Sequence, residues 1–257
     1  MIIEGLLPWL GWADPQLLDM VHESIPVFLE GATTTLTLFA QAGIIGFVLG
    51  CFIALCKARC IPKLYWLGWL YVELFRNVPL LIVLFFFYYG LQLRSDLAGL
   101  LSLSGWASAF LAEVIRGGIE SVEDGQLQAA RVLGLNNLQR ITAILMPQGL
   151  LRVLPILANT FMNLAKNTSI IYFVGVLDMT YAFEQLSARY FLFFQFFAVA
   201  LLFYMGLCLA ITYAFKGLDL WLNRARQPML NPDDWDDFDI PWQPPAGPIE
   251  PMQRGWA

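Results

Sequence analysis

Two long stretches of the chain, from Gly31 to Cys56 and from Tyr190 to Phe215, contain no Asp, Glu, Lys or Arg. About 20 helical residues cross the hydrocarbon core of a bilayer, so each stretch is long enough to span a membrane. Apolar residues make up 58% of the chain and the mean hydropathy is +0.62, which is more apolar surface than a soluble domain of this size buries. The sequence predicts an all-α membrane protein.

Three further apolar stretches are interrupted by a few charged residues. They run from Leu64 to Leu93, from Leu97 to Ile119 and from Val153 to Leu177. Together with the uncharged stretches they predict about five transmembrane helices within a membrane domain over residues 31–226.

The distribution of basic residues predicts the orientation. No Lys or Arg precedes Lys57, whereas Arg59 and Lys63 follow it closely. Cytoplasmic loops collect Lys and Arg, so we expect the N-terminus outside and, after five crossings, the C-terminus in the cytoplasm. The same count places the connection 120–149 on the cytoplasmic face.

Both ends of the chain differ from the apolar spans. Residues 1–30 lack the basic and apolar regions of a signal peptide, so we expect them to remain in the protein as an amphipathic segment at the outer interface. Residues 227–257 are rich in Pro, Trp and acidic residues and are expected to form an extended cytoplasmic tail. The tail is either simply solvated or it binds a basic partner surface.

The inventory of reactive residues excludes several classes of site. His22 is the only histidine, and the four cysteines have no Cys-x-x-Cys spacing, so we expect no multi-histidine metal site, no histidine-dependent triad and no cofactor. No Gly-x-x-x-x-Gly-Lys sequence is present to hold nucleotide phosphates. We therefore expect that the chain is not an enzyme and does not hydrolyse ATP itself.

The connection 120–149 is mostly polar and helix-forming, and Gly134 can supply the left-handed conformation that ends a helix. The sequence therefore predicts two short helices joined at Gly134. Its apolar side chains are too few to cross a bilayer and are expected to rest on protein: Leu127, Ala130, Val132, Leu133 and Leu135. A DNA-binding helix-turn-helix is disfavoured because acidic residues balance the basic ones.

Four segments resemble ABC importer permeases of the polar amino-acid branch, in matching order, within a similarity that runs from about Gly31 to Arg224. They are Glu113–Ser121, Gln128–Leu135, Ile144–Gln148 and Lys166–Ser169. The second and third are similar to the "EAA loop", which forms a cytoplasmic coupling helix in that family. Here Gln128 stands in place of the family's first Glu, and Met146 in place of its Leu.

This resemblance implies a type I ABC importer fold in a bacterial inner membrane. It implies pairing with a second permease copy or a paralogue, two ATPase subunits that bind ATP and Mg, and an extracytoplasmic amino-acid binding protein. The residues matching the family's coupling positions are Gln128, Ala129, Ala130 and Gly134. Alternatively, this connection only stabilises its own helix bundle.

Lys166 lies near the middle of the stretch from Val153 to Leu177, where a lysine costs roughly 2.5 to 3.5 kcal/mol on insertion scales. One interpretation is an internal ion pair with Glu73 or Glu113. The other is a translocation pathway that meets the carboxylates of an amino acid. The pathway residues would then be Lys166, Asn167, Thr168 and Ser169.

Arg76 and Asn77 form a second polar cluster, followed by Pro79, which can kink the span. Glu73 precedes Arg76 by three residues and can pair with it on one helix face. For Arg76 we favour this structural pair over a role in the pathway.

Three segments look most like permeases of glutamate/aspartate systems: Tyr71–Leu80, Asn163–Asn167 and Gly175–Met179. Two membrane cations would suit such an anionic substrate. Glutamine, histidine or arginine importers share the same scaffold. A passive channel subunit or a membrane anchor are the alternatives from other classes.

Gly43, Gly46 and Gly50 lie on the first span and include a Gly-x-x-x-Gly pair, which permits close helix approach. The sequence leaves open whether this face meets a second permease or packs within the chain.

Overall fold

The structure is a computed structural model that describes residues 15–58 and 64–224, with side chains described for 22–58 and 64–222. The predicted segment 1–14 and tail 227–257 lie outside the described residues. From Pro15 onward the predicted outer segment is the start of the first helix, continuous with the first span.

The described residues form helices and no strands. The α-helices are α1 Pro15–Lys57, α2 Tyr65–Asn77, α3 Leu80–Phe85, α4 Ser95–Glu120, α5 Asp124–Val132, α6 Asn137–Arg140, α7 Met146–Arg152, α8 Leu154–Asn167, α9 Met179–Tyr190 and α10 Phe193–Arg224. Wider π-helical turns follow α3 and α6, at Phe86–Gly90 and Ile141–Leu145, and a 3₁₀ helix follows α8 at Thr168–Val174. The compact part of the chain ends at Asp219; of the unit that begins at Leu220, the structure describes only the last residues of α10.

Three helices are long and apolar enough to cross a membrane: His22–Lys57, Ser95–Glu120 and Phe193–Leu222. Two further pairs qualify together but are bent. Tyr65–Asn77 meets Leu80–Gly90 at 105°, and Asn137–Arg152 meets Leu154–Val174 at 66°. The predicted number of five spans holds if each bent pair is one span, but two of the five are broken.

Proline accounts for both breaks. Val78 is extended, with φ −90° and ψ 128°, because the ring of Pro79 disfavours a helical residue before it. Pro155 lies in the first turn of α8, where its missing N–H costs no hydrogen bond. A proline at these positions therefore starts a new helix in a new direction.

The core is built where α1 crosses α4 on small residues. A Cβ atom added to Gly46 would lie 2.7 Å from Cβ of Ala107, and one added to Gly50 would lie 2.9 Å from Cβ of Leu111. The Gly-x-x-x-Gly face of the first span is therefore used within the chain, which answers the question that the sequence left open.

Helix α9 lies between the fourth span and α10, and the sequence did not predict it. Asp178 begins it: one carboxylate oxygen accepts the N–H of Tyr181 at 2.9 Å, and burial raises the pKa of this carboxyl. The helix packs on α1, where Thr35 Oγ1 accepts the N–H of Met179 at 3.0 Å. At the other end of α9, Arg189 lies 2.9 Å from Glu23 of α1.

Candidate functional site

The connection between α4 and α8, residues 120–149, is called the coupling segment below. Helix α5 ends at Val132, and Gly134, just beyond the C-cap Leu133, has a left-handed φ of 75°. The N–H of Leu135 donates to the carbonyl of Ala130 at 3.1 Å, and the N–H of Gly134 to that of Arg131 at 3.0 Å. This is a Schellman motif, so the prediction of a helix ending at Gly134 is confirmed.

The second half of the coupling segment begins with a capping box. The side chain of Asn136 accepts the N–H of Gln139 at 2.9 Å, and the side chain of Gln139 accepts the N–H of Asn136 at 2.9 Å. From there α6 continues through the π-helical turn into α7. The two predicted short helices are thus present, with defined ends on both sides of Gly134.

Helix α7 is held on α4 by contact between two backbones. A Cβ atom added to Gly118 would lie 2.4 Å from the carbonyl oxygen of Gly149, and one added to Gly149 would lie 2.9 Å from the amide nitrogen of Ile119. The guanidinium of Arg152 also donates to the carbonyl of Ser121 at the end of α4. A displacement of α7 therefore has to move α4.

The predicted coupling residues differ in exposure. Gln128, Ala129 and Gly134 are exposed, whereas Ala130 is buried within the chain. We expected the apolar side chains of the coupling segment to rest on protein, and Ala130 does, but Val132 and Leu133 are 88% and 79% exposed. These two adjacent apolar side chains form a candidate docking surface, and Leu138 of α6 is also exposed, at 69%.

Lys166 faces a groove of about 600 Å³ between α8, α9 and α10, called the Lys166 groove. Most of its walls are apolar, and the hydroxyls of Thr180 and Tyr204 are among its few polar groups. Within the part of the chain that the structure describes, Lys166 pairs with neither Glu73 nor Glu113. The interpretation of Lys166 as half of an internal ion pair is therefore wrong.

None of the three residues that follow Lys166 lines this groove. Thr168 is fully buried, and its hydroxyl donates to the carbonyl of Ala165 at 2.7 Å. The hydroxyl of Ser169 donates to the carbonyl of Lys166 at 2.8 Å, and Asn167 is half-buried. Thr168 therefore supports the backbone at the end of α8 rather than lining the groove.

Arg76 belongs to a different group of charges, called the Glu113 cluster: Lys57, Arg76, Glu113, Arg116 and Glu120. Glu113 accepts a hydrogen bond from Lys57, lies 2.9 Å from Arg116 and lies 3.9 Å from Arg76. Arg116 also pairs with Glu120 at 2.6 Å. The carboxylate of Glu113 thus joins cations from α1, α2 and α4.

The predicted pair of Arg76 with Glu73 is wrong. Glu73 instead accepts the side-chain amide of Asn77 at 2.6 Å, while Arg76 turns to Glu113 and lies 5.3 Å from the ring centroid of Phe110. Arg76 therefore contacts α4, Asn77 bonds within α2, and neither lines the Lys166 groove.

The sequence analysis did not predict the contact of Gly118 with Gly149 or the ion pair between Lys57 and Glu113. The Gly117-Gly118 pair inside a helix-forming stretch was a usable signal for the first. Among the described residues, no group of three or more His, Cys, Asp or Glu side chains could hold a metal ion.

Comparison with known proteins identifies the class. Residues 46–224 match the family described as "binding-protein-dependent transport system inner membrane component". A "probable glutamine ABC transporter permease protein" of Bacillus subtilis (strain 168) is 36% identical over 214 residues, which are 80% of this chain and 98% of that protein. A "glutamate/aspartate import permease protein" of Escherichia coli O6:H1 is 30% identical over 168 residues, 60% of this chain and 75% of that one.

A solved structure, the "crystal structure of an amino acid ABC transporter with histidines", contains a chain of the same fold. The TM-score is 0.71 at 30% identity, with 79% of this chain and 96% of that chain covered. The resemblance that the sequence motifs indicated is thereby confirmed. The chain belongs to the family of inner membrane components of binding-protein-dependent transport systems, the permease subunits of ABC importers.

Proposed function

We propose that this chain is the transmembrane permease subunit of an ATP-driven importer of a polar amino acid. It lies in a bacterial inner membrane with its N-terminus outside and its C-terminus in the cytoplasm. It pairs with a second copy or a paralogue, with two ATPase subunits and with an extracytoplasmic binding protein. The observation that carries the proposal is the exposed Val132–Leu133 pair on a segment held against α4.

The coupling segment converts movement of the ATPase into movement of the membrane helices. Val132 and Leu133 bind a groove of the ATPase, and Gln128 and Ala129 lie beside them on the same helix. Because Gly149 contacts Gly118 backbone to backbone, displacement of the segment moves α4. Helix α4 in turn packs on Gly46 and Gly50 of α1, so the movement reaches the first span.

ATP and Mg²⁺ are bound by the partner ATPase. The sequence lacks a Gly-x-x-x-x-Gly-Lys loop, whose backbone amides and lysine hold nucleotide phosphates. The permease itself contributes alternating access and substrate contacts, and it is not an enzyme.

Lys166 supplies the cation of the substrate pathway, with Asn167 and Ser169 beside it. A lysine exposed to a mostly apolar groove at mid-membrane depth needs an anion, and the α-carboxylate of an amino acid provides one. Arg76 and Asn77 lie outside this groove, and we assign them a structural role, because Arg76 lies against Glu113 and Asn77 bonds Glu73.

The charge available to the substrate favours a neutral polar amino acid. The two membrane cations suggested glutamate or aspartate, but Glu113 lies against Arg76 and leaves Lys166 as the cation of the groove. One cation matches the single α-carboxylate of glutamine, whereas glutamate or aspartate brings a second carboxylate that needs its own partner. Glutamine is therefore the favoured substrate, and glutamate or aspartate is the alternative.

The direct test is the ATPase activity of the complete transporter in lipid, with its binding protein and one amino acid added at a time. We expect stimulation by glutamine above that by glutamate, aspartate, histidine or arginine. Stimulation by another of these amino acids would support an amino-acid importer but contradict glutamine as its substrate. If no ATPase subunit co-purifies with the chain, the passive channel becomes the better explanation.

Lys166→Met should lower uptake by about tenfold to a hundredfold, because a hydrogen bond to a charged group contributes about 1.5 to 3 kcal/mol. Uptake of labelled amino acid into proteoliposomes measures the effect. Lys216→Met makes the same substitution on an exposed lysine of α10 and should leave uptake near wild type. Equal uptake in the two variants would remove Lys166 from the pathway.

A further inference from the structure

We propose that a cavity at the ends of α1 and α4 binds the headgroup phosphate of an anionic phospholipid. The cavity has a volume of about 420 Å³. It is lined by Lys57, Ala58, Tyr65, Trp69, Arg116 and Glu120. None of these residues lines the Lys166 groove or belongs to the Val132–Leu133 docking surface, so the cavity is distinct from both.

The aromatic residues beside the cavity place it at the level of lipid headgroups. Tyr65 and Trp66 stack edge to face with centroids 5.8 Å apart, and Trp66 and Trp69 do so at 5.9 Å. Trp66 is 72% exposed, and Leu67 and Leu70 next to it are also exposed. Trp and Tyr concentrate where a bilayer meets water, and exposed leucines on the same helix suit the acyl chains. The cavity therefore opens beside headgroups, whichever face of the membrane it occupies.

The charges of the Glu113 cluster leave one positive charge to be matched. Lys57, Arg76 and Arg116 are three cations, and Glu113 and Glu120 are two carboxylates. The Lys57 side chain is only 9% exposed, so this excess charge is partly removed from water. An incompletely neutralised charge in such a place is unfavourable, and a phosphodiester carries the single negative charge that would balance it.

Arg116 also retains an unused donor. One terminal nitrogen of its guanidinium donates to Glu120 and the other to Glu113. Its Nε–H is buried and has no acceptor among the described residues. A buried polar group without a partner costs about 1 to 3 kcal/mol, so a turn of the guanidinium that brings this N–H to a phosphate oxygen in the cavity would be favourable.

A lipid fits these features better than a soluble anion. Basic pockets between transmembrane helices are known to hold acidic headgroups, and here the basic wall is continuous with an aromatic, membrane-facing helix. A free phosphate would pair with the cationic side chains but would make no contact with the aromatic and leucine side chains of α2.

The test is native mass spectrometry of the full-length protein, purified with the subunits that accompany it, while phosphatidylglycerol or phosphatidylcholine is titrated in. We expect each copy of the chain to retain one phosphatidylglycerol in preference to phosphatidylcholine. Arg116→Gln should weaken that binding about fivefold, since one basic residue contributes about 1 kcal/mol to an anionic lipid. Glu120→Gln should strengthen it, because it raises the excess charge. A gain in lipid affinity in this variant cannot result from misfolding.

Arg94→Gln is the matched control, because Arg94 is exposed at the opposite end of α4 and pairs with Asp96 at 2.8 Å. It should leave the lipid affinity unchanged. Equal retention of phosphatidylcholine, or equal losses in Arg116→Gln and Arg94→Gln, would overturn the proposal. Displacement of the lipid by inorganic phosphate alone would reassign the cavity to a soluble anion. This assay measures lipid binding and not transport. Its result therefore does not depend on whether the proposed importer function is correct.

Discussion

Replacing Val132 and Leu133 together by Glu is expected to abolish ATP-coupled uptake while the permease remains folded. Both side chains are exposed, so two charges there disturb no packing within the chain. At a protein interface the same charges would be buried without partners. Loss of an apolar anchor costs about 2 kcal/mol or more, which is about thirtyfold in affinity. Co-purification of the ATPase subunits and uptake in proteoliposomes measure the effect.

Gln128→Glu is the matched control on the same helix. It adds a negative charge at an exposed position, where the EAA loop that this segment resembles has its first Glu. Uptake should persist in this variant. If the Val132→Glu, Leu133→Glu double variant also retains its ATPase and its uptake, the docking surface lies elsewhere and the coupling segment only stabilises the bundle.

Ala130 is not suited to this test of coupling. It matches a coupling position of the family, but it is 2% exposed and packs within this chain. A bulky residue at 130 would deform the coupling segment itself, so lost uptake would not distinguish coupling from folding. The structure separates the buried Ala130 from the exposed Val132 and Leu133.

The sequence predicted where the chain crosses the membrane better than how it crosses. Apolar length defines a span, and it located the three long helices and the two bent pairs although three of these stretches contain charged residues. Straightness depends on local backbone chemistry, and Pro79 and Pro155 break two of the spans. The stretch from Leu64 to Leu93 would be about 45 Å long as one helix, longer than the hydrocarbon core, so a break there could have been anticipated.

Charged partners were predicted least well, because proximity in sequence is a poor guide to pairing. Glu73 is three residues from Arg76 and was the local choice. Arg76 instead lies 3.9 Å from Glu113, which also binds Lys57 and Arg116, so that three helices meet at one carboxylate. Lys57 and Glu113 lie 56 positions apart, and no pattern in a single sequence marks such a pair.

Gly134 and Gly118 are each required for a different reason, one local to the backbone and one set by a distant residue. Gly134 was predictable because its left-handed φ is a property of its own backbone. Gly118 lies inside a helix with ordinary backbone angles, and its lack of a side chain matters only because Gly149, 31 residues later, lies against it. That difference identifies Gly118 as the position where a small substitution has a large effect.

Gly118→Ala is expected to destabilise the protein and to disconnect the coupling segment from α4. The added Cβ would lie 2.4 Å from the carbonyl oxygen of Gly149 and 3.0 Å from Cγ1 of Val153, so α7 must move away. Overpacking of this kind costs about 1 to 3 kcal/mol, and here the obstructing atom is backbone, which cannot rotate aside. The thermal unfolding midpoint in detergent should fall, and uptake per folded molecule should fall with it.

Gly117→Ala supplies the control, because the neighbouring glycine has no atom within 4 Å of an added Cβ. Both substitutions bring the same gain in helix propensity, about 1 kcal/mol, so the difference between them isolates the contact with Gly149. Gly117→Ala should match or exceed the wild-type midpoint and keep uptake. Equal midpoints and equal uptake in the two variants would show that α7 does not depend on this contact, and the route from the ATPase to α4 would have to run through Arg152 and Ser121 instead.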